Sequence, residues 1–215
     1  MIILYAFIEE ENHQDLLNRY LDISTREFKE KILKYRRWED AQLSLLGRIL
    51  LKHGLNTFYD IKNFEICYHS DKKPFLEGNN IYFNISHTSS LVTCIIADFP
   101  IGIDVEFLDK KINYLDFQPQ MTFNEFYRIG NSKNIVQSFF SYWTEKEAVI
   151  KAHGKGLLIP LKSFEISNNE CIIENEKFYL KEIFIDKNYQ CCIAANSDKI
   201  KHETVLLEQL NLNTL

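Results

Sequence analysis

No glycine-rich phosphate loop, no C-x-x-C pair and no H-E-x-x-H occurs in this 215-residue chain. Its seven glycines form neither a P-loop nor G-x-G-x-x-G, which excludes nucleotide binding of those two kinds. The nearest approach, Gly154-Lys155-Gly156, reads better as a helix stop. The cysteines are Cys67, Cys94, Cys171, Cys191 and Cys192, an odd number without metal-ligand spacing. They give neither a disulfide framework nor a zinc site and read as reduced thiols. The six histidines are scattered and make no H-x-x-x-H pair. No apolar run reaches membrane length, and the opening MIILYAFIEEEN lacks the basic region of a secretory signal. An excess of positive charge is missing too. The net charge of -5 argues against a dedicated nucleic-acid binder, while leaving room for a local basic patch. The expectation is a soluble, cytoplasmic protein with no membrane and no nucleic-acid partner.

What is present is a large apolar fraction, 46%, in a chain long enough for one large domain or two small ones. Residues 1–9 read as a strand. A long helix is expected over 24–53, with Ser24 as N-cap, Leu43, Leu46 and Leu50 as its stripe and Gly54 as its stop. Strands are expected in ICYHS, IYFNIS and LVTCIIAD, and in IGIDVEF after Pro100. Residues 107–133 suggest loop and short helix. A second long helix is expected over 134–153, then strands near 162–167, 171–174, 177–185, 189–195 and 202–208. The tail NLNTL should fray. No sequence repeat is visible, but the two parts share an element order. The class is α+β, two similar halves, each a long helix packed on a mostly antiparallel sheet, with a boundary near Pro100 (1–100 and 101–215).

The second helix carries an anomaly. Val136, Phe140, Trp143 and Ile150 form an apolar stripe, and the place between the last two is held by Glu147. Upstream, IGIDVEF puts Asp104 and Glu106 on one face of a strand, and Ile103, Val105 and Phe107 on the other. On alternation alone these acids could be a solvated strand face. Glu147 points toward a sheet, however, and a carboxylate removed from water needs a positive partner. Lys151, one turn later, could pair with it. Alternatively, Glu147 could share a metal with Asp104 and Glu106. Three carboxylates make a hard, all-oxygen site suited to Mg²⁺, an ion that leaves positions for water and phosphate oxygens. REFKEKILKYRR, residues 26–37, holds six basic residues and two acids and fits either a solvated helix face or a phosphorylated ligand. In NISHTSS, Ser86, His87 and Thr88 make a donor-rich turn that could hold a phosphate, although His87 alone reads as an ordinary loop histidine.

Together these segments resemble the 4′-phosphopantetheinyl transferases. That family's pattern is G-[IV]-D-x-E followed by W-x-x-K-E-[SA]-x-x-K, matched here by Gly102–Glu106 and Trp143–Lys151. Its upstream block is matched by Lys73-Pro74 and by Phe83–Thr88. RRWEDAQLSLLGRILL and GKGLLIPLKSFEI resemble the segments before that block and after the helix. The likeness runs from about residue 24 to 195, with a length like that of the larger, surfactin-synthetase-activating type. The family often has Gly before Lys-Pro, where this chain has Lys72, and residues 107–133, which help meet the carrier in the family, match poorly.

The resemblance implies transfer of the phosphopantetheine arm of coenzyme A to a serine of an apo carrier protein, acyl or peptidyl. Adenosine 3′,5′-bisphosphate is the other product. It implies Mg²⁺ on Asp104, Glu106 and Glu147, and a leaving phosphate assisted by Lys151. Lys31, Ser86 and His87 would bind the 3′-phosphate, with Lys73 and Pro74 on the adenine side. The serine needs a general base within hydrogen-bond reach. That base is either Glu147, directly or through a metal-bound water, or Glu125 of TFNEF. Two alternatives stay open: a Mg²⁺-dependent hydrolase of coenzyme A or a related diphosphate, and a non-catalytic carrier-binding module. Two halves in one chain imply that a monomer suffices.

Overall fold

The computed structural model describes residues 1–71 and 73–212. Lys72 and residues 213–215, the end of the tail expected to fray, lie outside the described residues. The apolar opening forms β1 (Ile2–Phe7). It is followed by α1 (His13–Tyr20), a helix that periodicity did not announce.

The helix expected over 24–53 is two helices. Thr25, not Ser24, caps α2 (Arg26–Leu33) by accepting from Phe28 N–H. The chain turns and enters α3 (Trp38–Tyr59), which continues past Gly54. A Cβ on Gly54 would stand 2.5 Å from Ile96 Cδ1 and 2.7 Å from Leu4 Cδ1. This glycine therefore lets the helix lie close on the sheet rather than ending it. The stop is Asp60, in the left-handed region at φ 52.

β2 (Ile66–Tyr68) and β3 (Pro74–Leu76) pair as a small antiparallel hairpin. β4 (Tyr82–Thr88), β5 (Leu91–Ala97) and β6 (Ile101–Phe107) coincide with expected strands. The polar-aromatic stretch holds a 3₁₀ segment, Tyr114–Gln120, and α4 (Phe123–Gly130). α5 (Ile135–His153) starts at Asn134, whose side chain accepts from Gln137 N–H, and stops at Gly154, φ 99. Then come β7 (Glu170–Ile173), β8 (Glu176–Glu182), β9 (Tyr189–Ala195), the short α6 (Lys199–His202) and β10 (Leu206–Gln209).

Two expected strands differ. Residues 161–163 form a 3₁₀ turn, and Leu161 O and Phe164 O accept from Lys146 Nζ, which uses acceptors a strand partner would need. The first residue of 202–208 closes α6, and only Leu206–Gln209 is a strand.

Four layers result. One sheet has the order β10-β1-β5-β4 and the other β6-β9-β8-β7. Leu4, Ala6, Val92, Cys94 and Ile96 pack beneath α3 through Leu46, Leu50 and Leu51. On the opposite face Ile3, Leu91 and Ile95 meet Ile103, Val105 and Ile193 of the second sheet. The far side of that sheet, Leu180, Cys192 and Ala194, is covered by Ala148, Val149 and Ala152 of α5. The fold is therefore α+β, with each half a long helix on a mostly antiparallel sheet. β10 crosses back to lie parallel to β1, so the first sheet draws on both ends of the chain. Among the described residues no helix is long and apolar enough to cross a membrane.

Candidate active site

The cleft begins with Gly102. A Cβ there would stand 2.2 Å from Ala148 O and 2.4 Å from Ala152 N. Only glycine lets the backbone of α5 rest directly on β6. That close crossing brings Glu147 and Lys151 over Asp104 and Glu106.

The acids are not a solvated face, since Asp104 is only 4% exposed. Lys151 pairs with Asp104 rather than with Glu147. Its Nζ donates to Asp104 Oδ1 at 2.6 Å and to Ser86 Oγ at 2.9 Å. Ser86 Oγ in turn donates to Asp104 Oδ1 at 3.0 Å. Asp104 Oδ2 is buried with no hydrogen-bond partner. Glu106 Oε2 accepts from Thr88 Oγ1 at 3.0 Å, and the nearby Trp143 indole helps to hold its pKa down. Glu147, the acid in the apolar stripe, lines the cleft with no hydrogen bond to its carboxylate among the described residues.

Burial pushes all three above the ordinary carboxylate range, and the charge of Asp104 adds to this for Glu106 and Glu147. Lys151 pulls each of them back. Three acids facing one lysine leave a double negative charge when ionised. Ligand oxygens of Asp104, Glu106 and Glu147 do not all come within 4.8 Å of one another. Among the described residues, the trio of possible ligand atoms within 4.8 Å of one another is Glu65, Cys67 and Glu77 of the β2–β3 hairpin.

Asp104, Glu106, Glu147, Lys151, His87 and Trp143 line a cavity of about 330 Å³. An adjoining cavity of about 220 Å³ shares Glu147 and Lys151 and extends to Lys73, Pro74, Asn84 and Gly154. Ser86 and His87 belong to β4 itself rather than to a turn after it. Ser86 is buried against Asp104, whereas His87 is exposed toward the cleft mouth. Desolvation, then the charges of Lys151 and Lys31, hold the His87 imidazole below its ordinary pKa. Lys31 sits exposed on α2 and does not line either cavity. Lys73 Nζ donates to Ala152 O at 2.8 Å, so its ammonium caps the end of α5 while its stem walls the cleft.

Glu125 is placed apart from the cleft. It completes a capping box with Thr122 at the start of α4. Its Oε1 lies 2.5 Å from Lys146 Nζ, and the side chains of this pair are 3% and 0% exposed. Sequence reasoning gave no role to Asn84 or Lys146 and did not link Thr88 or Trp143 to Glu106. The signal for the first was legible: N-x-S-x-T in FNISHT alternates at the period of a strand, so all three side chains share a face.

Comparison with known proteins identifies the family. Residues 100–197 match the family model described as the 4′-phosphopantetheinyl transferase superfamily, and residues 11–98 match that of 4′-phosphopantetheinyl transferase, N-terminal. The chain is 32% identical to 4′-phosphopantetheinyl transferase gsp of Aneurinibacillus migulanus, over 88% of this chain and 84% of that one. It is 27% identical to 4′-phosphopantetheinyl transferase Sfp of Bacillus subtilis (strain 168), over 91% and 92%. With the L-aminoadipate-semialdehyde dehydrogenase-phosphopantetheinyl transferase of Xenopus laevis it shares 24% identity over 83% and 70%. The cleft between two such halves thus belongs to a member of the 4′-phosphopantetheinyl transferase superfamily.

Proposed function

We propose that this chain moves the 4′-phosphopantetheine arm of coenzyme A to a serine hydroxyl of an apo carrier protein, with Mg²⁺ as cofactor. Adenosine 3′,5′-bisphosphate is the second product. The observation that carries this is the meeting of Asp104, Glu106, Glu147 and Lys151 in one cavity between the halves. The donor set fits the metal: its oxygens are hard, its net charge is negative, and Asp104 Oδ2 is buried without a partner. Asp104, Glu106 and Glu147 would hold the ion. When bound, Mg²⁺ supplies charge neutralisation at the pyrophosphate, which eases attack on phosphorus.

The protein's own groups account for the remaining tasks. Lys151 faces both cavities, so its ammonium stabilises the leaving phosphate and can protonate it. Asp104 and Glu106 already accept hydrogen bonds. Glu147 accepts none, and its pKa is raised by burial and by Asp104. An acid with open lone pairs and raised basicity suits the general base that takes the serine proton. His87, with Lys31 behind it, binds the 3′-phosphate at the cleft mouth. Lys73 and Pro74 frame the nucleoside end in the adjoining cavity. Residues of one chain line both cavities, which supports a monomer as the working unit. The five cysteines are free, in keeping with a cytoplasmic setting.

The test is incubation of the protein with coenzyme A, Mg²⁺ and a panel of apo carriers, followed by intact-mass measurement. One carrier should gain the mass of a single phosphopantetheine on a serine. Free phosphopantetheine with every carrier unmodified would point to hydrolysis and overturn the proposal.

A further inference from the structure

β4 and β6 are edge strands of different sheets, and they lie against each other at the junction of the halves. No backbone ladder joins them among the described residues; the ladder of β6 runs to β9 on its other edge. In an antiparallel pair alternate residues turn their N–H groups toward the partner, so the others face outward. A buried outward N–H needs an acceptor. Here side chains of β4 supply it. Asn84 Oδ1 accepts from Ile103 N–H at 2.9 Å, and Ser86 Oγ accepts from Val105 N–H at 3.3 Å. Both are buried, at 7% and 5% exposure. The same row then reaches the acids, Ser86 to Asp104 and Thr88 to Glu106, each at 3.0 Å.

A shared ladder would set the strands about 4.8 Å apart. An interposed side chain leaves room between them, and Asn84 and Ser86 each line one of the two cavities there. The row also blocks a register slip. Moving β6 by one residue would point its acids at the other sheet and its core residues into the cleft.

We propose that Asn84, Ser86 and Thr88 are positioning residues that form a side-chain seam between the halves. Asn84 and Ser86 fix the acid strand through its outward amides, and Thr88 aims Glu106. The seam itself is independent of the reaction, whereas the role given to Thr88 rests on the metal site proposed above.

The test uses the full chain, ¹⁵N-labelled, with two readouts. Amide hydrogen exchange by NMR should be at least about tenfold faster at Ile103 in Asn84→Ala, measured relative to the rest of β6. Asn84→Asp keeps an acceptor oxygen and should keep the protection. If Asn84→Ala fails to fold, Ser86→Ala applies the same test at Val105. For Thr88, the Kd for Mn²⁺ in the presence of coenzyme A, read by electron paramagnetic resonance, should weaken about 10–100-fold in Thr88→Val. Thr88→Ser should restore it. Unchanged relative exchange at Ile103 and Val105 in the alanine variants overturns the seam. Wild-type Mn²⁺ affinity in Thr88→Val overturns the aiming role. Absence of Mn²⁺ binding in the wild type would refute the proposed metal site, and the aiming role with it, while the exchange result still decides the seam.

Discussion

Breaking the buried ion pair between α4 and α5 separates two roles that the motif places side by side. Lys146 lies within the W-x-x-K-E motif, yet it is wholly buried, with Nζ 2.5 Å from Glu125 and bonded to Leu161 O and Phe164 O. Burial pulls its pKa down against the support of Glu125. Lys146→Met leaves the Glu125 carboxylate buried and unpaired, which costs about 3–5 kcal/mol. For a chain of this size that lowers Tm by roughly 6–20 °C. Glu125→Gln is milder, because its one amide oxygen can still accept from Lys146, although the bond from Thr122 N–H to the other oxygen is lost. Urea denaturation measures both. The functional readout then decides between the two candidate bases. With Glu147 as base, folded Glu125→Gln keeps kcat/KM within a few-fold of wild type. With Glu125 as base it loses about 10²–10⁴-fold. A stable Glu125→Gln variant with a loss of that size would refute the assignment, and a Lys146→Met variant as stable as wild type would refute the energetics.

Other substitutions test neighbouring parts of the account. Glu145 is held up to about 7, from an ordinary 4.5, mainly by burial, with Glu182 adding to the effect and Arg128 opposing it. A raised carboxyl stabilises the fold below the ordinary range, and that contribution is lost as pH rises through about 7. Glu145→Gln should therefore match wild type near pH 4.5 and exceed it near pH 8, by on the order of 2–3 kcal/mol in urea denaturation. Gly102→Ala should cost at least about 1–3 kcal/mol and reduce transfer, because its Cβ meets the backbone of α5 and not a side chain that can swing away. His87→Ala should weaken coenzyme A more than the analogue lacking the 3′-phosphate, and equal weakening in a binding titration would remove His87 from that role.

Much of the cleft was legible because it obeys the two periodicities. Asp104 and Glu106 alternate on a strand, and Glu147 interrupts a helical stripe, so all three stand out without any structure. The layers followed for the same reason. What stayed hidden was decided by tertiary contact. Gly54 carries a helix-stop signal, but the nearness of Leu4 and Ile96 overrode it. Residues 162–167 read as a strand, but Lys146 takes the carbonyls of Leu161 and Phe164. Glu125 and Glu147 are both glutamates on helices, and only the fold distinguishes the one locked to a lysine from the one free in a cavity. The cap supplied by Lys73 joins residues 79 positions apart in sequence, a pairing no local pattern signals.

Crystals grown with coenzyme A and Mn²⁺ provide the most direct measurement, since anomalous scattering locates that ion unambiguously. The account predicts one strong peak enclosed by carboxylate oxygens of Asp104, Glu106 and Glu147, beside the pyrophosphate. Coenzyme A bound in the cleft with no peak among those oxygens, or with the peak at Glu65, Cys67 and Glu77 instead, would contradict it.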